Sequence, residues 1–196
     1  MDPENEPSVR PLIVVSGLPR SGTSLLMAML KAGGVALVTD ALRTPDEDNP
    51  NGYFELEAVK RLRSDQSWIT GALGKAVKIV VPVVLSLPPS IPVRVLFLER
   101  NITEVIASQA AMLARKGVKP VLPAEKLQVV FQAQVDLAKR SLESRPSCRL
   151  LVLNHRRMLE DPLAAATSVG DFLQLPLDVK AMAATVNPGL YRQRSG

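Results

Sequence analysis

The segment that most constrains this chain joins an apolar run to a glycine turn: residues 12–16 read Leu-Ile-Val-Val-Ser, and Gly17-Leu18-Pro19-Arg20-Ser21-Gly22-Thr23-Ser24 follows at once. A continuous apolar run ending in such a turn predicts a strand, and the helix formers over 21–30 predict the helix after it. Strand, turn, helix is the opening of an α/β unit. At that junction backbone N–H groups and the positive end of the helix dipole converge on an anion. The sequence is not a Walker A loop, because Thr23 and Ser24 follow Gly22 and the lysine that reaches the terminal phosphates of ATP is missing. Its cation is Arg20, whose planar fork of donors suits a doubly anionic group, with the Thr23 and Ser24 hydroxyls beside it.

The rest of the chain repeats the alternation. Apolar or β-branched runs at 35–38, 76–83, 93–98 and 150–153 add strands, and helical periodicity marks 103–113, 125–142, 162–173 and 177–184. These elements predict one domain over 10–196 after a short tail at 1–9. The expected fold is a P-loop-containing α/β/α three-layer structure around a mainly parallel five-stranded sheet, with ligands at the carboxyl ends of the strands. The apolar face of 125–142 is expected to pack in the chain's own core and gives no oligomeric state.

Composition narrows the partners. The chain has 196 residues, 46% of them hydrophobic, enough for one buried core, and a net charge of +5 that favours an anionic ligand. Aromatics make up only 4%, and no basic run is interleaved with them, so no nucleic-acid partner is expected. The single Cys148 excludes an intrachain disulfide and a cysteine-cluster zinc site, which fits a reducing, cytoplasmic setting. An acidic first segment and an apolar run broken by Gly17 predict neither signal peptide nor membrane span, so no membrane partner is expected either. The polar, proline-containing stretch 39–51 has the composition of a lid-like loop.

Two more features complete a pattern. Leu-Phe-Leu-Glu-Arg-Asn-Ile-Thr-Glu-Val-Ile-Ala-Ser over 96–108 ends a strand on Arg100 and sets Ser108 eight residues later, and Lys78 stands in the preceding strand. With the Gly-x-Pro-Arg-Ser-Gly-Thr loop, this sequence resembles the sulfotransferase superfamily, in a form similar to its bacterial and protein-tyrosine branches. The resemblance implies 3′-phosphoadenylyl sulfate (PAPS) as donor, 3′-phosphoadenosine 5′-phosphate (PAP) as product, and no metal. It implies that Pro19, Arg20, Ser21, Gly22, Thr23 and Ser24 hold the 5′-phosphosulfate, that Arg100 and Ser108 hold the 3′-phosphate, and that Lys78 acts with Arg20 on the transferring group. Ser108 then lies about a turn and a half into the helix, which lets both groups reach one phosphate. The segment 187–194 is similar to the family's end and offers Arg192 to the nucleotide. The segments 49–55 and 157–162 also look like the bacterial members, with His155, Arg156 and Arg157 where Tyr, Glu and Asp would stand and Ile79-Val80 where Asp-Pro would follow Lys78.

The expected activity is in-line sulfuryl transfer to a hydroxyl or amine of a small-molecule or peptide acceptor, chosen by the loops 39–51 and 117–123. Asp40, at the end of the second short strand, is the expected base, with Glu55 in reserve, while His155 is expected in a buried, capping or surface role. A kinase-like phosphotransferase using ATP, and a non-catalytic nucleotide-binding protein of the same fold, remain alternatives.

Overall fold

The computed structural model describes residues 10–40, 42, 46 and 52–187. Among them four strands, β1 (Leu12–Gly17), β2 (Ala76–Lys78), β3 (Val93–Glu99) and β4 (Cys148–Asn154), form one parallel sheet in the order β2-β1-β3-β4. The pleat sends Leu12 and Val14 to one core and Ile13 and Val15 to the other, all four buried. That is why β1 reads as an unbroken apolar run: both faces are covered.

Seven α-helices supply the cover among the described residues: α1 (Thr23–Ala32), α2 (Ile69–Ala72), α3 (Ile102–Arg115), α4 (Ala124–Glu143), α5 (His155–Glu160), α6 (Pro162–Leu173) and α7 (Val179–Ala184). Leu26 of α1, Met158 of α5, Val169 of α6 and Met182 of α7 pack on one face of the sheet, and Ile69 of α2, Val105 of α3 and Val135 of α4 on the other. The expected three layers are present. None of these helices is long and apolar enough to cross a membrane.

The sheet departs from expectation at its edge: among the described residues it has four strands, and the expected fifth does not form at 35–38. Segment 35–38 touches β2 through a single parallel bridge, Leu37 to Ala76, closed by Val38 N–H to Ala76 O and Ala76 N–H to Ala36 O, each 2.8 Å. The backbone then turns to another partner, with Asp40 N–H donating to Glu55 O at 3.2 Å, so no ladder develops. Likewise 76–83 is a strand only to Lys78. Ile79 and Val81 N–H still reach Val15 O and Gly17 O at 3.0 Å, but Pro82 has no N–H to give and a 3-10 turn, Val83–Ser86, follows. Helix α5 had no sequence expectation; Asn154 starts it by accepting from Arg157 N–H at 3.1 Å.

Because β1 lies between β2 and β3, the chain leaves it first to one side and later to the other. The crevice at the carboxyl ends of β1 and β3 is therefore the topological switch point, where open α/β sheets bind ligands. Register brings Gly17 level with Leu98 there, so the loop after β1 and the turn after β3 are neighbours.

Candidate functional site

The loop after β1 is shaped by two glycines. Gly17 has φ +142°, and a Cβ on it would lie 2.5 Å from Leu98 O and 2.6 Å from Ser21 Oγ; Gly22 has φ +101°, and its Cβ would lie 2.5 Å from His155 Cδ2. Any larger residue would drive the loop off β3 or off the imidazole. Asn101, Asn154, Asp161 and Asp178 cap α3, α5, α6 and α7 with their side chains, whereas α1 starts from Gly22 with no side-chain cap. Ser21, itself buried, carries a hydroxyl that bonds to no described protein group, and so does Ser16 at the end of β1. A buried hydroxyl without a protein partner beside an uncapped helix start suits an anion's oxygens.

Arg20 ties this loop to the second motif. Its Nε donates to Ser108 Oγ at 3.0 Å, and its own carbonyl accepts from Arg100 Nη1 at 3.1 Å. Arg20 adopts φ +73°, a conformation that costs a side-chain-bearing residue about 1–3 kcal/mol and tends to persist at functional sites. Burial lowers the pKa of its guanidinium; Tyr53 opposes this, Arg115 and Arg100 add to it, and Asp46 opposes it. Arg100 is aimed by Glu104, whose Oε2 lies 3.0 Å from Arg100 Nε, both side chains being largely buried. Glu104 is in turn fixed near the start of α3, where Asn101 Oδ1 accepts from Thr103 N–H at 2.9 Å and from Glu104 N–H at 3.4 Å.

Two flanks open from the loop. On the β3 side lies a cleft of about 400 Å³, walled by Ser21, by Arg100 and Thr103 after β3, by Gln128 and Gln132 of α4 and by Asn154. That volume and polar lining suit a small anionic molecule. On the β2 side Lys78, the last residue of β2, is buried; its Nζ donates to Tyr53 O and lies 3.6 Å from Glu55 Oε1. The Tyr53 hydroxyl donates to Asp46 at 2.6 and 2.7 Å, and both residues act electrostatically on Arg20.

Among the expected site residues, Arg20, Arg100 and Ser108 thus join directly, with Pro19, Ser21 and Gly22 in the loop between β1 and α1 and Thr23 and Ser24 in the first turn of α1. Lys78 and Glu55 form a second group on the β2 side. Asp40 is half-buried, and its carboxylate accepts N–H from Leu42 at 3.1 Å and from Glu57. The Glu57 bond is the main cause of a lowered carboxyl pKa there. Arg192 lies outside the described residues. Two participants, Glu104 and Tyr53, had no role assigned from sequence, and a third, His155, is buried, one of the roles expected for it. Glu104 was signalled only by its i+4 spacing from Arg100, and Tyr53 only by its place in the segment 49–55 that resembles the bacterial members. His155 packs on Gly22 with its pKa lowered to about 4, by burial first and Arg100 second, against the pull of Glu104. Among the described residues no three of His, Cys, Asp or Glu gather into a group that could hold a metal ion.

Comparison with known proteins adds the fold. No protein-family model matches the chain, and no curated protein matches it in sequence. Solved structures do. Sulfotransferase STF1 from Mycobacterium tuberculosis H37Rv is 17% identical, with a TM-score of 0.60 over 89% of this chain and 71% of that one. The sulfotransferase domain of the curacin biosynthetic pathway is 14% identical, with a TM-score of 0.56 over 95% and 92%. A sulfotransferase from Alicyclobacillus acidocaldarius is 15% identical, with a TM-score of 0.53 over 85% and 81%. At these identities the likeness is one of fold, and the fold is that of the sulfotransferases.

Proposed function

We propose that this chain, built on the sulfotransferase fold, is a PAPS-dependent sulfotransferase acting on a hydroxyl or amine of a small-molecule or peptide acceptor. The observation that carries the reading is the junction at Arg20, where the anion loop after β1 meets the Arg100–Ser108 pair after β3. One ligand with phosphates at both ends would engage both motifs, and the 3′-phosphorylated nucleotide of PAPS has that form. The buried Ser21 hydroxyl, the uncapped start of α1 and the glycines that keep Cβ atoms out of the loop all fit such a ligand.

The donor supplies a sulfuryl group: the acceptor oxygen or nitrogen bonds to sulfur as the sulfur–oxygen bond to the 5′-phosphate breaks. The loop N–H groups with Ser21, Thr23 and Ser24 hold the 5′-phosphate, and Arg20 and Lys78 neutralise charge that grows between the two flanks. Arg100 and Ser108 bind the 3′-phosphate, Arg100 being oriented by Glu104. Of the two carboxylates offered for the acceptor proton, Glu55 is the better placed, 3.6 Å from Lys78. Asp40 is committed to backbone N–H groups that lower its pKa and make it the weaker base.

Calorimetric binding of PAP, with ADP as control, to wild type and to Arg100→Ala tests the reading. Preference for PAP over ADP, lost in the variant, supports the donor site and leads to sulfuryl-transfer assays on an acceptor panel. Equal binding of both nucleotides overturns it in favour of a kinase-like site.

A further inference from the structure

His155, the chain's single histidine, is a buried ionisable group that the transfer chemistry leaves unused. Asn154 ends β4 and caps α5, and His155 follows as the first residue of that helix, 6% exposed. The ring lies against the start of α1 with its Cδ2–Nε2 edge toward Gly22: a Cβ on Gly22 would lie 2.5 Å from Cδ2 and 3.1 Å from Nε2. The imidazole therefore touches the backbone of the loop where an anion is expected. Two charges bear on it from the turn after β3. Burial is the largest obstacle to its protonation, Arg100 adds to that, and Glu104 opposes both. On its own helix Arg156 is paired with Glu160 at 2.9 Å in solvent, and Arg157 is exposed. The neighbouring α6 starts on exposed Asp161, which caps Ala164 N–H, and carries exposed Asp171; β4 has Arg149, exposed near its other end. Helix α1 brings no charge before Lys31 in its last turn.

We propose that His155 is a positioning residue of the anion loop, neutral while the loop is empty and protonated once a phosphate or phosphosulfate occupies it, so that nucleotide binding takes up a proton. The proposal rests on the loop's holding an anion, which PAP and ADP would supply alike, and not on which of the two is preferred. An anion there offsets Arg100 and adds its own attraction for a cation on the ring. A unit negative charge brought within about 6 Å of an imidazolium, at an effective dielectric constant of about 20, raises its pKa by roughly 2. From about 4 in the empty protein, one such charge brings His155 to about 6, and a doubly charged phosphate brings it higher. The proton passes from bulk water to a ring nitrogen and leaves with the nucleotide. The empty loop thus escapes the cost of a buried unpaired cation, and the filled loop gains a charge behind Gly22 that holds the anion against the start of α1. Between the two pKa values the bound form carries a proton that the free form lacks, so affinity rises as pH falls, by up to tenfold per pH unit. The phosphates act in the opposite sense, since their second ionisation near pH 6 removes negative charge in acid.

A single histidine makes the test direct. Its Cε1–H resonance is followed by NMR in the full chain from about pH 5 to 8.5, alone and saturated with PAP or with ADP. The free protein is expected to keep the neutral signal down to about pH 5, and the complex to show a midpoint at about pH 6 or above. Calorimetry at about pH 6, in buffers of different ionisation enthalpy, is expected to show wild type taking up about half a proton more than His155→Gln on binding. Between about pH 8 and 6 the affinity of wild type should gain at least about twofold on that of the variant, a comparison in which the phosphates' own titration cancels. The NMR arm needs no variant and stands even if His155→Gln misfolds. A bound-state histidine that stays neutral to about pH 5 overturns the proposal and leaves the donor site intact. So does equal proton uptake by wild type and variant, and so does a free-protein midpoint already above about pH 6. Preference for PAP over ADP, which decides the sulfotransferase reading, comes from the same titrations and does not depend on how the histidine responds. If PAP, ADP and pyrophosphate all fail to bind, the loop holds no anion and both proposals fall.

Discussion

Gly22 stands where three requirements meet: a left-handed backbone with φ +101°, the uncapped start of α1, and the imidazole of His155 against its α-carbon. Alanine there would need a strained φ and would push a methyl into His155 Cδ2. Gly22→Ala is therefore expected to destabilise the protein by about 1–3 kcal/mol and to weaken PAP binding by more than that loss alone explains; thermal unfolding and calorimetry on the same preparation separate the two. His155 gives a second prediction, in pH. Its folded pKa of about 4 lies below the value near 6.5 of an unfolded histidine. Below pH 6.5 the unfolded chain takes up a proton that the folded chain refuses, so stability falls between pH 6.5 and 4, by at most roughly 3 kcal/mol from this group. Above pH 6.5 it contributes no slope. Urea titrations across that window should show a shallower acid loss in His155→Gln than in wild type, and equal slopes would mean that His155 already takes up its proton in the folded state.

At the scale of the element, α3 is a positioning device. Asn101 caps its first turn, the cap sets Glu104, and Glu104 holds Arg100. Asn101→Ala should cost about 1 kcal/mol of stability, the usual worth of an N-cap, while weakening PAP more than ADP because it loosens the group that reads the 3′-phosphate. Equal weakening of the two nucleotides would reduce Asn101 to a cap and nothing more. This element was partly legible in sequence: Arg100 at a strand end and Ser108 in the following helix could be read from spacing, since both periodicities are local. Glu104 could not, because an i+4 carboxylate is usually a solvated helix pair, and only burial reveals it as the support of Arg100. β1 and its loop were legible for the same local reason. Segment 35–38 was misread as a strand because pairing depends on where the chain goes next, and Asp40 N–H goes to Glu55. The β2-side group was hardest to see, since Lys78 lies 25 residues beyond Tyr53 and meets it and Glu55 only in the folded chain.

At the scale of the molecule, the proposed donor site spans the switch point of the sheet, so a ligand held there would tie the β1–α1 loop, the β3–α3 turn and α4 together. Stability should respond to it globally rather than locally. A ligand that binds only the folded state contributes RT ln(1 + [L]/Kd), about 2.7 kcal/mol at a hundred times Kd. For a chain of this size each kcal/mol shifts Tm by about 2–4 °C, so PAP at that excess should raise Tm by roughly 5–10 °C. ADP at the same concentration should give much less, because it lacks the phosphate that Arg100 and Ser108 are expected to hold. In Arg100→Ala the two nucleotides should converge on the smaller shift. Scanning calorimetry on both proteins reads this directly, and a PAP shift that survives the substitution would mean that the 3′-phosphate is bound somewhere other than the turn after β3.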